Sequence, residues 1–140
     1  MFVLDTDTLS LLFAGHPHVL RRQATVPSAE IAITIVSRIE VLRGRFDFLM
    51  KAASGEQLLR AQGWLNETVR SLAQVETVIP IEDAAATQFD RLRTNKKLKK
   101  IGRGDLLIAS ITLAERATLV TRNVKHFRQV PELQIENWAD

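Results

Sequence analysis

The sequence contains no cysteine. That excludes disulfides, thiolate metal sites and a cysteine nucleophile, and it fits a reducing compartment. No apolar run approaches the roughly 18 residues needed to span a membrane. No basic leader with an apolar core precedes the first strand-like residues, so no signal peptide is expected and the cytoplasm is the expected location. Repeats and low-complexity linkers are also missing. What is present is ordinary for a globular protein: 140 residues, 46% hydrophobic and 25% charged. That length predicts one domain, 1–140, able to bury a sizeable core. Acids are absent from one stretch. Between Arg91 and Arg103 lie Arg91, Arg93, Lys96, Lys97, Lys99, Lys100 and Arg103, a charge of +7 in a chain whose net charge is +3. The stretch reads either as a solvated helix end and loop or as a phosphate-binding patch, because clustered Lys and Arg neutralise backbone phosphates.

Phe2 to Leu4 reads as a short buried strand, with capping residues from Asp5 to Thr8 for a helix closing near Gly15. Pro17 starts a second short helix. Ile31 to Val36 is β-branched and apolar, a buried strand. Ser37 is the expected N-cap of a helix with Ile39, Leu42, Phe46, Leu49 and Met50 near one face. A further helix spans Glu56 to Val75, with Leu58, Leu65, Val69 and Leu72 on one face. Val78 to Ile81 reads as a strand and Ala84 to Leu92 as a helix. Leu106 to Leu113 is apolar nearly all round, which predicts a buried helix. Thr118 to Val120 and Leu133 to Ile135 complete the strands. Apolar strands alternating with helices predict a three-layer α/β/α sandwich with a central, mostly parallel sheet. Ligands in such sheets sit outside the carboxyl ends of the strands.

Several acids fall at those ends. Asp5 and Asp7 follow the first strand, Glu40 follows the second, Asp105 opens the apolar helix, and Asn123 follows the Thr118 to Val120 strand. Each has a structural explanation. Asp5, Thr6, Asp7 and Thr8 are favoured caps. Ser37 and Glu40 fit the capping box S-x-x-E. Asp105 suits a helix start. As a set they point elsewhere, because parallel topology gathers the junctions onto one sheet edge. Converging carboxylates repel unless a hard cation such as Mg²⁺ or Mn²⁺ joins them. His16, His18 and His126 lack zinc spacing. Such an ion activates water and stabilises charge on a phosphate, and the basic stretch leads directly into Asp105.

Four segments carry a family resemblance. Phe-Val-Leu-Asp-Thr-Asp at 2–7, Ile-Glu-Val-Leu-Arg-Gly at 39–44, Ile-Gly-Arg-Gly-Asp-Leu-Leu-Ile-Ala at 101–109 and Leu-Val-Thr-Arg-Asn at 119–123 occur in the order found in PIN domains. Within that group the chain resembles the VapC toxins of toxin–antitoxin modules, nearly end to end. By that match Asp5, Glu40 and Asp105 are the metal-binding, catalytic acids. Asp7, Thr6, Thr121 and Asn123 are supporting residues. Arg93, Lys96, Lys97, Lys99, Lys100 and Arg103 are read as the RNA grip. Position 7 is Asp where Asn is common, and position 123 is Asn where many relatives have Asp. The resemblance implies an endoribonuclease dependent on Mg²⁺ or Mn²⁺; in-line attack by metal-activated water is expected to leave 5′-phosphate and 3′-hydroxyl ends. The resemblance also implies a homodimer and a VapB-like antitoxin that blocks the site.

Three other readings bear comparison. Haloacid-dehalogenase-like phosphatases also open with D-x-D, met by Asp5 and Asp7. Their motif wants Thr or Val two residues after the second acid, where this chain has Leu9, and no second acid follows Asp105 until Glu115. A binding module with a dead site would not need the full acid set. An RNA-processing PIN nuclease outside any toxin module would share every motif, and an antitoxin-like reading frame upstream would separate the two. Phe48 and Trp64 lie off the main apolar stripes, where they either complete the core or form a dimer or antitoxin interface.

Overall fold

The computed structural model describes residues 1–140. Five strands form one parallel sheet: β1 (Phe2–Leu4), β2 (Ile31–Thr34), β3 (Thr77–Ile79), β4 (Thr118–Val120) and β5 (Gln134–Glu136). Their spatial order is β3-β2-β1-β4-β5. Seven helices connect them: α1 (Thr6–Phe13), α2 (Pro17–Ala24), α3 (Ile35–Met50), α4 (Gly55–Ala73), α5 (Asp83–Arg93), α6 (Arg103–Ala114) and α7 (Val124–Phe127). Short 3₁₀ turns occupy Ser28–Glu30 and Lys96–Leu98.

The period of two along each strand builds two cores, one per sheet face. Val3 pairs with Ala32 and Leu119 in register. All three point into a cluster with Ala85 and Leu92 of α5 and Ile108, Ala109 and Ile111 of α6. One residue on, Leu4 pairs with Ile33 and Val120. These face Leu9 of α1, Val19 of α2, Leu72 of α4 and Trp138. The expected α/β/α sandwich with a parallel sheet is therefore what forms. No helix is long and apolar enough to cross a membrane.

Several boundaries differ from expectation. β2 ends at Thr34, and Ile35 and Val36 begin α3 instead of extending the strand. The cause is local. The Thr34 hydroxyl accepts from the Ser37 N–H at 3.1 Å, so Thr34 and not Ser37 is the N-cap. The predicted capping box between Ser37 and Glu40 does not form. β3 stops at Ile79, because Pro80 has no N–H to continue a ladder, and Ile81 is exposed. β5 begins at Gln134, one residue late. The short helix α7 was not expected.

The apolar face predicted for α3 is a core face only at Leu42, which packs partly buried against the cluster of Leu4 and Val41. Val41 is the buried apolar residue of α3, while Ile39, Phe46 and Met50 are exposed. On α4, Leu58 and Val69 are exposed and Leu72 is buried. Phe48 and Trp64 do not complete the core either. Each keeps about half its surface in solvent (45% and 44%), and their rings meet edge to face at 5.4 Å.

Candidate active site

Chain order reverses at β1, because β2 and β3 extend the sheet one way and β4 and β5 the other. That reversal opens a crevice outside the carboxyl ends of β1 and β4. Asp5 follows β1 directly, and its N–H donates to the Val120 carbonyl at 3.0 Å. It is the N-cap of α1, with Oδ1 accepting from the Thr8 N–H at 2.8 Å. The cap does not exhaust the carboxylate, which has about four acceptor positions. Only 4% of Asp5 is exposed. Burial, above all, raises its pKa; bonds from Thr121 and Thr8 oppose the rise, and the charge of Asp7 adds to it.

Thr6, the first residue of α1, brings the second carboxylate in. Its Oγ1 lies 2.6 Å from Glu40 Oε1 and 3.0 Å from Ser37 Oγ. A carboxylate only accepts, so the single Thr6 proton goes to Glu40. Since Thr34 caps α3 and no capping box forms, Glu40 is released from the role that Ser37 would have given it. The cap is also what sets the phase of α3, turning Glu40 toward Thr6.

Asp105 sits in the first turn of α6, whose N-cap is Gly102. Its pKa is raised, first by burial and next by the charge of Asp5; Glu40 and Asp7 contribute further, and His126 opposes them. Asp5, Glu40 and Asp7 thus all lie within charge range of Asp105. His126 Nε2 lies 3.9 Å from Asp105 Oδ2. It is the residue that sequence reasoning passed over. It stands one helical turn after Asn123 on α7, directly beyond β4.

The supporting residues divide. Thr121 is fully buried, and its hydroxyl accepts from the Asn123 N–H at 3.0 Å while also holding Asp5. Asp7 and Asn123 are exposed at the crevice rim. Asn123 precedes α7 without a side-chain capping bond. Arg93, Lys96, Lys97, Lys99, Lys100 and Arg103 are all exposed. They span the end of α5, a 3₁₀ turn and the first residue of α6, so they lead into Asp105 along a folded path, not a loose loop. Arg93 pairs with Asp90 at 3.3 Å, and the Arg103 guanidinium lies 5.2 Å from the Phe89 ring centre.

No three acids or histidines stand close enough together to form a ready-made metal site. Mg²⁺ and Mn²⁺ do not require one, since Mg²⁺ binds through one or two carboxylates and keeps several waters. The donor chemistry fits such an ion. The acids supply oxygen, Asp5 is buried and Asp105 partly so, and a bound cation would relieve the repulsion between them.

A family model described as "PIN domain" matches residues 2–133. The chain is 27% identical over 142 residues to Ribonuclease VapC1 of Haemophilus influenzae (strain R2866), covering 99% of this chain and 98% of that protein. A segment of 52 residues is 52% identical to Ribonuclease VapC2 of Rickettsia felis, 36% of this chain and 39% of the other. Among solved structures, VapBC2 from Rickettsia felis bound to a DNA fragment from its promoter aligns with a TM-score of 0.76 at 28% identity, over 98% of both chains.

Proposed function

Because the chain belongs to the PIN domain family, we propose that it is the endoribonuclease toxin of a VapBC-type module, cutting RNA phosphodiesters with a divalent metal ion, Mg²⁺ or Mn²⁺. The observation that carries this reading is the placement of Asp5, Glu40 and Asp7 within charge range of Asp105 at the carboxyl edge of a parallel sheet. Full-length similarity to proteins named ribonucleases supports it.

Asp5, Glu40 and Asp105 would hold the ion. When bound, it lowers the pKa of a water and neutralises charge on the phosphate and the leaving oxygen. The chain's own residues do the rest. The α1 cap fixes Asp5, Thr121 just after β4 bonds to it, and Thr6 fixes Glu40. The basic segment from Arg93 to Arg103 holds the RNA backbone beside Asp105. In-line attack then leaves a 5′-phosphate and a 3′-hydroxyl.

The proposed partners are RNA, a VapB-like antitoxin and a second copy of the chain. The aligned Rickettsia complex contains an antitoxin, which supports the second of these. The exposed Ile39, Phe46, Met50, Leu58 and Leu59 on α3 and α4 offer apolar surface for a protein partner. The test is cleavage of a mixed tRNA and rRNA pool by purified protein with Mn²⁺, with Mg²⁺ and with EDTA, beside Asp105→Asn. Metal-dependent cutting that leaves 5′-phosphate ends and disappears in the variant is the expected result. Equal cutting by a folded Asp105→Asn protein would remove Asp105 from the site.

A further inference from the structure

Of the six glycines in the chain, five would meet nothing within 4 Å if they carried a Cβ. Gly104 is the exception. A Cβ there would lie 2.8 Å from Glu40 Oε2, closer than non-bonded atoms approach, and a tight 3.3 Å from Glu40 Cδ. Its neighbours do not account for it. Gly104 lies inside the first turn of α6, where glycine is a poor helix former. Its backbone does not need glycine either, since the glycine with positive φ is Gly15. The whole consequence of the missing side chain falls on the Glu40 carboxylate.

We propose that Gly104 is a positioning residue for the metal site: its bare α-carbon makes the space in which the Glu40 carboxylate rests against α6 beside Asp105. Glu40 is then held from two sides. Thr6 donates to Oε1 at 2.6 Å, and Oε2 lies over the first turn of α6. That turn carries N–H groups left open by Gly102, which makes no side-chain cap, so the contact suits an anion. Filling the space shifts the far end of a flexible side chain and no backbone. The fold therefore tolerates a methyl at 104, while the carboxylate is pushed off Thr6.

The inference rests on the assignment of Glu40 to the metal site. The experiment is a double-mutant cycle read by Mn²⁺ affinity from calorimetry, with the melting temperature of each metal-free variant recorded alongside. Gly104→Ala is expected to melt no lower than the parent, because alanine favours the helix, and to bind Mn²⁺ roughly tenfold more weakly, as removal of an orienting partner does. In a Glu40→Ala background, Gly104→Ala is expected to change Mn²⁺ affinity no further. Unchanged affinity in Gly104→Ala, or an equal loss in both backgrounds, overturns the proposal while leaving Glu40 in the site. Unchanged affinity in Glu40→Ala alone instead removes Glu40 from the metal site, and the role of Gly104 falls with it.

Discussion

The Asp5 carboxylate caps α1 and faces the crevice, and burial raises its pKa as it does that of Asp105. A raised folded-state pKa means that the native protein holds those protons more tightly than the unfolded chain. The associated stability is complete below the unfolded carboxyl pKa and is lost as pH rises through the raised folded values. At neutral pH, without a metal ion, the charged acids weaken the fold. Asp5→Asn keeps a favoured cap and removes a charge. Its urea midpoint at pH 7 without metal is expected to exceed that of the parent, the gap closing in acid, while cleavage is lost. A lower midpoint at pH 7 would show that the Asp5 charge stabilises the fold. Thr6→Val tests the other carboxylate. It keeps the side-chain shape and deletes the hydroxyl at 2.6 Å from Glu40. Cleavage is expected to fall roughly tenfold, as when an orienting partner is removed, with little change in melting temperature.

At the level of elements, the second strand-to-helix junction decides where Glu40 points. Thr34 is fully buried, and its hydroxyl closes the first turn of α3. Thr34→Ala is expected to cost about 1–2 kcal/mol in urea unfolding, the usual loss for a threonine cap. The same junction shows what can be read from sequence and what cannot. Asp5, Glu40 and Asp105 are legible because each follows an apolar strand or opens an apolar helix. The cap is not, because Thr34 and Ser37 both offer hydroxyls, and only the length of β2, fixed by its pairing with β1 and β3, chooses between them. The apolar residues of α3 read as a stripe, yet most of the stripe, Ile39, Phe46 and Met50, is exposed. Periodicity finds a stripe without saying what covers it. His126 escapes a sequence reading because its nearness to Asp105 comes from β4 carrying α7 to the same edge. The role of Gly104 is equally hidden, since it depends on α6 and α3 meeting at Glu40.

Across the whole molecule, charge is separated, with the excess of cations gathered on the path from α5 into α6. Replacing Lys96, Lys97, Lys99 and Lys100 together by alanine is expected to weaken RNA binding uniformly across sequences. It should also flatten the dependence of log affinity on log salt, by a slope of about 0.7 for each single-strand phosphate that is no longer neutralised. An unchanged slope in a filter-binding titration would place the RNA elsewhere.

The position of β1 sets an order of assembly. It precedes the other four strands in sequence, yet it lies in the middle of the sheet, and α1 bonds to β4 through the Thr8 hydroxyl and the Val120 carbonyl, 112 residues away in the chain. While a ribosome is still extending the polypeptide, Asp5 has no Thr121 to orient it and no Asp105 across from it. The edge that carries Asp5 is therefore incomplete until β4 takes its place beside β1.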